Sequence, residues 1–410
     1  MTVLARGSRG ARSEDVRRGN LSTLLRYVHV HGPTARSRLT AVLGLNRSTI
    51  GDLTSELVAA GLLREEPGRP DRVGGEAAGG GRPSYVVAPQ SERVQVLAVD
   101  VGVTHLSVAR VGLGGAILSR RDRSYRRGTR RHTTVTAAIT KISAELLAEV
   151  DGAVVVAGMG VAVPGMVRRH DGQVRQAPNL GWRDVPLGAA LADALGLPVS
   201  VGNDADLGIL AEQVRGAAVG VDDAVYLTGR SGLGAGIIAG GRPLGGRTGY
   251  AGEVGHLVVD PAGLPCHCGS RGCWETQCGE ERLFELAARP AGGGLAGVRE
   301  VVAAAAAGDA VAAAALEDVA GWLGRGTANV VHVLNPEMVI LGGALEEVLR
   351  ALGGTVRSAF DSTALAAPGE QVRIVAPHLG SDSTLVGSAE LAFDPLLSDP
   401  LLTLSRRHAS

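Results

Sequence analysis

Beyond Pro89 one local pattern recurs: an apolar run long enough for a buried strand stops on glycine or a short polar residue, often with helical periodicity after it. The runs are "VQVLAVDVGVTHLSVARVGLGGAIL", "VVVAGMGVAVPGMV", "PVSVGNDADLGILAE", "DAVYLTGRSGLGAGIIAGGRPLGG" and "PEMVILGGA". The first reads as two strands joined by a glycine turn, with Asp100, Gly102 and Thr104 at the tip of the first hairpin. Strands that keep ending in small residues leave room for a ligand at the sheet edge. The pattern therefore predicts an α/β body of two lobes with ligand held where the strands end. A chain of 410 residues is too long for one ordinary domain, and 60 glycines with only 3% aromatics call for tight turns and close-packed small side chains.

The residues before Pro89 read differently. Residues 1–64 carry ten arginines against four acids, an excess of six positive charges that the rest of a formally neutral chain must offset. A basic head on an acidic body predicts that the head alone approaches nucleic acid. Leu21, Leu24, Leu25 and Val28 recur at helical spacing until Gly32-Pro33. A short helix fits Ser37 to Leu43, Gly44 permits a tight turn, and a third helix from Asn46 or Arg47 buries Ile50, Leu53, Leu57 and Val58. Arg47, Ser48, Thr49 and Asp52 stay on the outer face of its first turns. This is a helix-turn-helix layout, whose second helix offers its N-terminal residues to the major groove. "GLLREE" and "RPSYVVAP" pair as a hairpin around the Gly- and Pro-rich "PGRPDRVGGEAAGGG", the tip of a wing. Arg47 and Arg82 are the expected phosphate contacts, and Ser48, Thr49 and Asp52 the expected base readers. A three-helix packing module is the alternative.

No signal peptide or membrane-length apolar run is visible, which predicts a cytoplasmic protein. In that compartment clustered thiols more often bind metal than form disulfides. Three of the four cysteines fall within "CHCGSRGC", with His256 upstream and Glu275 downstream.

Taken in order, "DVGVT", "NLGW", "GNDA", "GLGAGI", "GEVGH", "CHCGSRGCWE" and "ILGGA" resemble the ROK family of repressors, open reading frames and sugar kinases. The likeness spans about Val94 to Phe393, and the segment before it is similar to the winged helix-turn-helix of bacterial repressors. The resemblance implies an N-terminal winged helix-turn-helix (1–89) followed by a two-lobed actin-like ATPase, ribonuclease H-like sugar-kinase body. We expect lobes at 90–205 and 206–395, the second holding the zinc loop and C-terminal helix, and a flexible tail at 396–410. It assigns His256, Cys266, Cys268 and Cys273 as ligands of a structural Zn2+, and four such donors match the tetrahedral preference of closed zinc sites. Cys278 falls outside the set and reads as a core residue. By the same resemblance Asn179, Asp204, Glu253, His256 and Glu275 hold a sugar. Carboxylates and an amide suit this, because they hydrogen-bond adjacent hydroxyls.

The phosphate side departs from the family. Its kinases use the Asp of "ND", here Asp204, as general base with ATP and Mg2+. Their first hairpin carries Asp-x-Gly-Gly-Thr-Lys, whereas this chain has Asp100, Gly102 and Thr104 but Val103 and His105 in place of glycine and lysine. The second loop keeps Gly232, Gly234 and Gly236 but puts Arg230 and Ser231 where Gly-Thr-Gly is expected; Gly342 and Gly343 complete the phosphate loops. The expected function is a sugar-responsive transcriptional repressor of carbohydrate-utilisation genes. It binds an operator in double-stranded DNA as a homodimer or tetramer, takes a small-molecule sugar as effector, and has no membrane partner. An ATP-dependent sugar kinase with a DNA-binding head is the alternative, and a regulator controlled by a phosphotransferase protein is a third reading.

Overall fold

The computed structural model describes residues 9–67, 85–125, 131–150, 152, 154–230 and 232–408. The head comprises α1 (Arg9–His31), β1 (Thr34–Ala35), α2 (Arg36–Leu43), α3 (Arg47–Ala59), β2 (Leu63–Glu66) and β3 (Val86–Pro89). β2 pairs antiparallel with β3, and β1 adds to the other edge of β3, so three helices carry a three-stranded wing. Gly44 ends α2 at φ 65°, in the left-handed region glycine adopts without penalty. Asn46 caps α3, its Oδ1 accepting from the Thr49 amide at 2.8 Å. Ile50, Leu53 and Leu57 are buried as the periodicity requires, while Val58 is half-buried. The first helix starts well before the apolar stretch that marked it. Arg82 lies outside the described residues.

The first lobe is a sheet ordered β11-β7-β4-β5-β6. It is built from β4 (Val94–Val101), β5 (His105–Gly112), β6 (Ile117–Ser124), β7 (Val155–Val163) and β11 (Val199–Asn203). Between them run α4 (His132–Leu147), a side sheet of β8 (Met166–Arg168), β9 (Gln173–Ala177) and β10 (Trp182–Val185), and α5 (Leu187–Leu195). α6 (Asp204–Arg215) leads into the second lobe.

The second lobe repeats the plan as β14-β13-β12-β15-β16. Its strands are β12 (Ala224–Gly229), β13 (Leu233–Ala239), β14 (Arg242–Pro243), β15 (Met338–Gly343) and β16 (Arg373–Val375). Helices α7 (Glu275–Cys278), α8 (Glu280–Leu286), α9 (Gly294–Ala306), α10 (Ala310–Leu334), α11 (Ala344–Asp361) and α12 (Ala366–Gln371) complete it. In both sheets an antiparallel meander is followed by two parallel strands, of which the inner one, β7 or β15, is mostly buried and reads as continuous apolar sequence. This is the duplicated plan expected of an actin-like body.

Two expectations are corrected at the C-terminus. α13 (Ser383–Ser398) packs on β4, β7 and α6, and so covers the first lobe's sheet instead of belonging to the second lobe. Residues 396–408 are not a loose tail: α13 continues to Ser398 and α14 (Pro400–His408) follows, with Leu404 8% exposed. Apolar spacing at Leu396, Leu397, Leu401 and Leu404 gives that segment a face to bury. The same core takes in Leu24, Leu25, Val28, Ile50 and Leu53 of the head, so head, first sheet and α13 share one apolar cluster.

Among the described residues no helix is long and apolar enough to cross a membrane.

Candidate functional site

Between the lobes lies a cavity of ≈ 280 Å³ whose wall includes Asn179, Asp204, Glu253, His256 and Glu275. Sequence order scatters them over almost a hundred residues; the fold gathers them from four local devices. Asn179 sits in a short 3-10 turn, Pro178–Leu180. Asp204 is the first residue of α6, whose cap Asn203 accepts from the Ala205 and Asp206 amides and donates to the Gly165 carbonyl. Glu253 precedes and His256 ends a second 3-10 turn, Val254–His256, and Glu275 opens α7. Gly232 faces them: a Cβ there would lie 3.0 Å from Glu275 Oε2 and 3.7 Å from Asn179 Nδ2. Burial pushes the Asp204 carboxyl up, with Arg230 opposing and Asp100 adding to the rise. Burial likewise raises Glu253, against His256. Asp204, 8% exposed, is an acceptor poor in water that a hydroxyl donor would satisfy, whereas the Glu253 side chain is exposed.

Beside the cavity, one ligand atom each from His256, Cys266, Cys268 and Cys273 falls within 4.8 Å of every other. Cys268 and Cys273 Sγ are 3.6 Å apart, and Cys266 Sγ is 3.7 Å from His256 Nδ1. A tetrahedral zinc with bonds of about 2.3 Å to sulfur and about 2.0–2.1 Å to nitrogen needs edges of about 3.8 and 3.6 Å. The donor set therefore fits zinc in both chemistry and spacing, and leaves no position for water. His256 has two faces: Nδ1 points to the thiols, and Nε2 lies 3.8 Å from Glu253 Oε2 on the cavity side. Gly272 permits the turn, since at φ 69° a Cβ would sit 1.5 Å from the Asp260 carbonyl oxygen. Cys278 is 2% exposed in the second lobe's core, as its place outside the set required.

Sequence reading missed His267. Its Nδ1 lies 3.4 Å from Glu275 Oε1, its ring meets that of His256 edge-on, and it lines the cavity. The only available signal was a histidine between two metal-ligand cysteines.

A second cavity of ≈ 230 Å³ joins the first at Asp204, Pro164 and Arg230 and is lined by Asp100, Gly102, Thr104, His105 and Gly343. Here the departures from the kinase pattern acquire a geometry. Arg230 donates to Asp100 Oδ2 at 2.8 Å and Oδ1 at 3.2 Å, and to Thr384 Oγ1 at 2.9 Å. His105 folds over Gly102, with its Nε2 3.1 Å from Asp100 Oδ2. Burial alone would raise the Asp100 carboxyl, but the Arg230 charge and the His105 contact hold it far below the carboxylate range. An internal cation thus pairs with Asp100 in the wall of this cavity. Gly232 and Gly234 line the first cavity, not this one, and Gly342 packs on the Tyr226 hydroxyl. Of the expected phosphate-loop glycines, Gly102 and Gly343 line this second cavity, together with Gly229 and Arg230. Ser231 lies outside the described residues.

On the head, Arg47, Ser48 and Asp52 are exposed and Thr49 half-buried, so one face of the first two turns of α3 is open while Ile50 and Leu53 bury the other. The Ser48 hydroxyl is tied to the cap, donating to Asn46 Oδ1 at 2.7 Å. Several head arginines are used internally: Arg17 pairs with Glu56 and Arg36 with Glu65.

Comparison with known proteins follows the same division. The ROK family model matches residues 96–394. The xylose repressor of Bacillus subtilis (strain 168) is 27% identical over 93% of this chain and 97% of its own length. The crystal structure of a ROK family transcriptional regulator, a homologue of the E. coli MLC protein, superposes with a TM-score of 0.76 at 26% identity over 95% of this chain and 99% of its own. A Streptomyces griseus ROK family glucokinase, solved with glucose and AMPPNP, is 30% identical with a TM-score of 0.62. It covers 72% of this chain but 98% of its own, so the enzyme's whole length is matched by little more than the body.

Proposed function

The chain belongs to the ROK family, and from that premise we propose that it is a sugar-responsive transcriptional repressor of carbohydrate-utilisation genes. The sugar binds at Asn179, Asp204, Glu253, His256 and Glu275, and the operator is bound by α3 and the wing. The observation that carries this reading is the Arg230 to Asp100 pair. Arg230 and His105 both lie on Asp100 in the cavity that a nucleotide's phosphates would have to enter, so entry would displace contacts the chain makes to itself. The sugar cavity next to it keeps its full polar set. A body that retains the acceptor's site while blocking the donor's can bind a sugar without phosphorylating it.

The five side chains suit a pyranose, with D-xylose and D-glucose the first candidates, given the relatives named above. Zinc, when bound by His256 and the three cysteines, supplies a fixed loop and no reaction step. His256 and Glu275 are thereby held against the sugar hydroxyls. Two copies place two winged helices on a pseudo-palindromic operator, and sugar between the lobes changes their spacing.

The test combines three readouts on the full-length, zinc-loaded protein: heat stability with a panel of hexoses, pentoses and amino sugars; ADP release with ATP and the same sugars; and affinity for a duplex selected from random DNA. One sugar should raise Tm and change duplex affinity, with ADP release no higher than in Asp204→Asn. Arg47→Ala should weaken duplex binding and leave sugar protection unchanged. Sugar-dependent ADP release abolished in Asp204→Asn would make the protein a kinase, and protection by no sugar would remove the sensor.

A further inference from the structure

α6 begins inside the sugar cavity and ends at the DNA-binding head. Asp204 is its first residue and Arg215 its last, a rise of about 16 Å along the axis. Arg215 lines neither cavity and is 15% exposed, yet its guanidinium is used on every side. Nε donates to Glu390 Oε1 at 2.7 Å, Nη1 to the Gly114 carbonyl at 3.0 Å, and Nη2 to the His29 carbonyl at 3.2 Å. These partners belong to three different parts: α13, the turn between β5 and β6, and α1 of the head.

His29 is fully buried. Its Nδ1 accepts from the Gly114 amide at 2.9 Å, and its Nε2 lies 3.0 Å from Glu390 Oε2 and 2.8 Å from Arg215 Nη2. Burial pushes the Glu390 carboxyl up, but the His29 hydrogen bond and the Arg215 guanidinium hold it below its ordinary value. The turn is shaped to the arginine: a Cβ on Gly115 would come within 2.3 Å of the guanidinium carbon. One turn earlier on α6, the buried Glu212 carboxylate accepts from the amides of Ala217, His378 and Leu379 and from Ser383 Oγ. α6 and the start of α13 are thereby locked into one unit.

We propose that α6 is a strut that couples the sugar cavity to the DNA-binding head, with Arg215, Glu390 and His29 as its head-side joint. The proposal rests on the sugar-repressor reading given above. A helix barely changes length, so a displacement imposed on Asp204 when the lobes close on a sugar arrives at Arg215. Hydrogen bonds there are directional, and a buried fork that loses its geometry leaves polar groups unpaired. The joint therefore has two unequal states, and α1 moves with it. This gives the sugar the differential interaction that coupling requires. Arg215 and His29 act as positioning residues and touch neither sugar nor DNA.

The experiment measures the affinity of full-length protein for its selected duplex with and without saturating D-xylose or D-glucose, whichever raises Tm in the wild type. The ratio of the two affinities, typically about 5–150-fold in coupled systems, is the readout. In Arg215→Gln and His29→Gln the sugar should still raise Tm, and duplex affinity without sugar should stay within about threefold of wild type, while the ratio collapses to within about twofold of unity. Loss of packing alone would lower Tm without moving that ratio. Glu390→Gln, which keeps the volume, serves if Arg215→Gln does not fold, and should collapse the ratio likewise. Wild-type ratios in these variants would overturn the strut and leave the repressor standing. A wild-type protein protected by neither sugar, or protected with no change in duplex affinity, would overturn the sensor reading and the strut with it.

Discussion

Single side chains carry the largest departures from average chemistry around α6. Asp206, one residue beyond the wall of the cavity, is buried enough to push its carboxyl up to about 7, with Arg169 opposing and Asp204 and Glu253 adding to the rise. The folded-state value lies above the unfolded one, so the fold holds this proton more tightly than the unfolded chain does. The resulting penalty is absent below about pH 4, grows as pH rises toward 7, and is constant above it. Asp206→Asn should therefore raise Tm, by clearly more at pH 8 than at pH 5; an equal gain at both would show that the carboxyl titrates normally. At this scale the sequence was most legible where chemistry is local. Four metal donors within eighteen residues could be read as one set, because a zinc loop is a short-range structure. Arg230 could be recognised as out of place but not as the partner of Asp100, since nothing local joins residues 130 positions apart. His29 raised no signal at all, because a buried histidine in an apolar helix differs from its neighbours only through what packs on it.

Elements were legible in proportion to their periodicity. The strands of both sheets announced themselves as apolar runs, and α3 did so through its buried stripe and Asn46 cap. α1 was read short, because its N-terminal half is polar, and α14 fell in the segment read as a flexible tail, because it is short and its apolar face takes shape only against the head and α13. The zinc loop is the element whose form depends most on something other than backbone pairing. Between Val254 and Trp274 its strand-type pairing is limited to two isolated bridges, Val258 with Cys273 and Pro265 with Arg271, and turn hydrogen bonds such as Cys266 to Ser270 and Gly272 to Leu264 hold the remainder. A bound metal would add the cross-link that joins these turns through their side chains. Wild-type protein should contain close to one zinc per chain, and Cys268→Ser should lower metal affinity by more than about 100-fold and with it the yield of folded protein. Elemental analysis and the Tm of both proteins check this, and metal-free wild type with undiminished Tm would refute it.

At the scale of the whole molecule, separate domains by sequence prove to share a core. Phe393 of α13 is fully buried, with its ring centroid 4.9 Å from that of His29, among leucines of the head and valines of the first sheet. Head and first lobe should accordingly unfold in one transition. Phe393→Ala should cost about 3–5 kcal/mol and lower that single transition without splitting it; a head melting on its own in calorimetry would contradict the shared core. The two-lobed plan was legible before any coordinates, because duplicated strand patterns repeat along the chain, but the placement of α13 was not, because its partners lie some two hundred to three hundred residues upstream. That placement bears on the order in which the protein is made. The backbones interlock: Gly160 of β7 has no room for a Cβ beside the Ser388 carbonyl, and Gly387 none beside that of Leu207. A ribosome has released the head, both sheets and the zinc loop before the helix that closes the first sheet emerges. Until then the nascent chain holds an open apolar face beside a DNA-binding surface, so premature termination yields a species that chaperones and proteases recognise, not a truncated competitor for the operator.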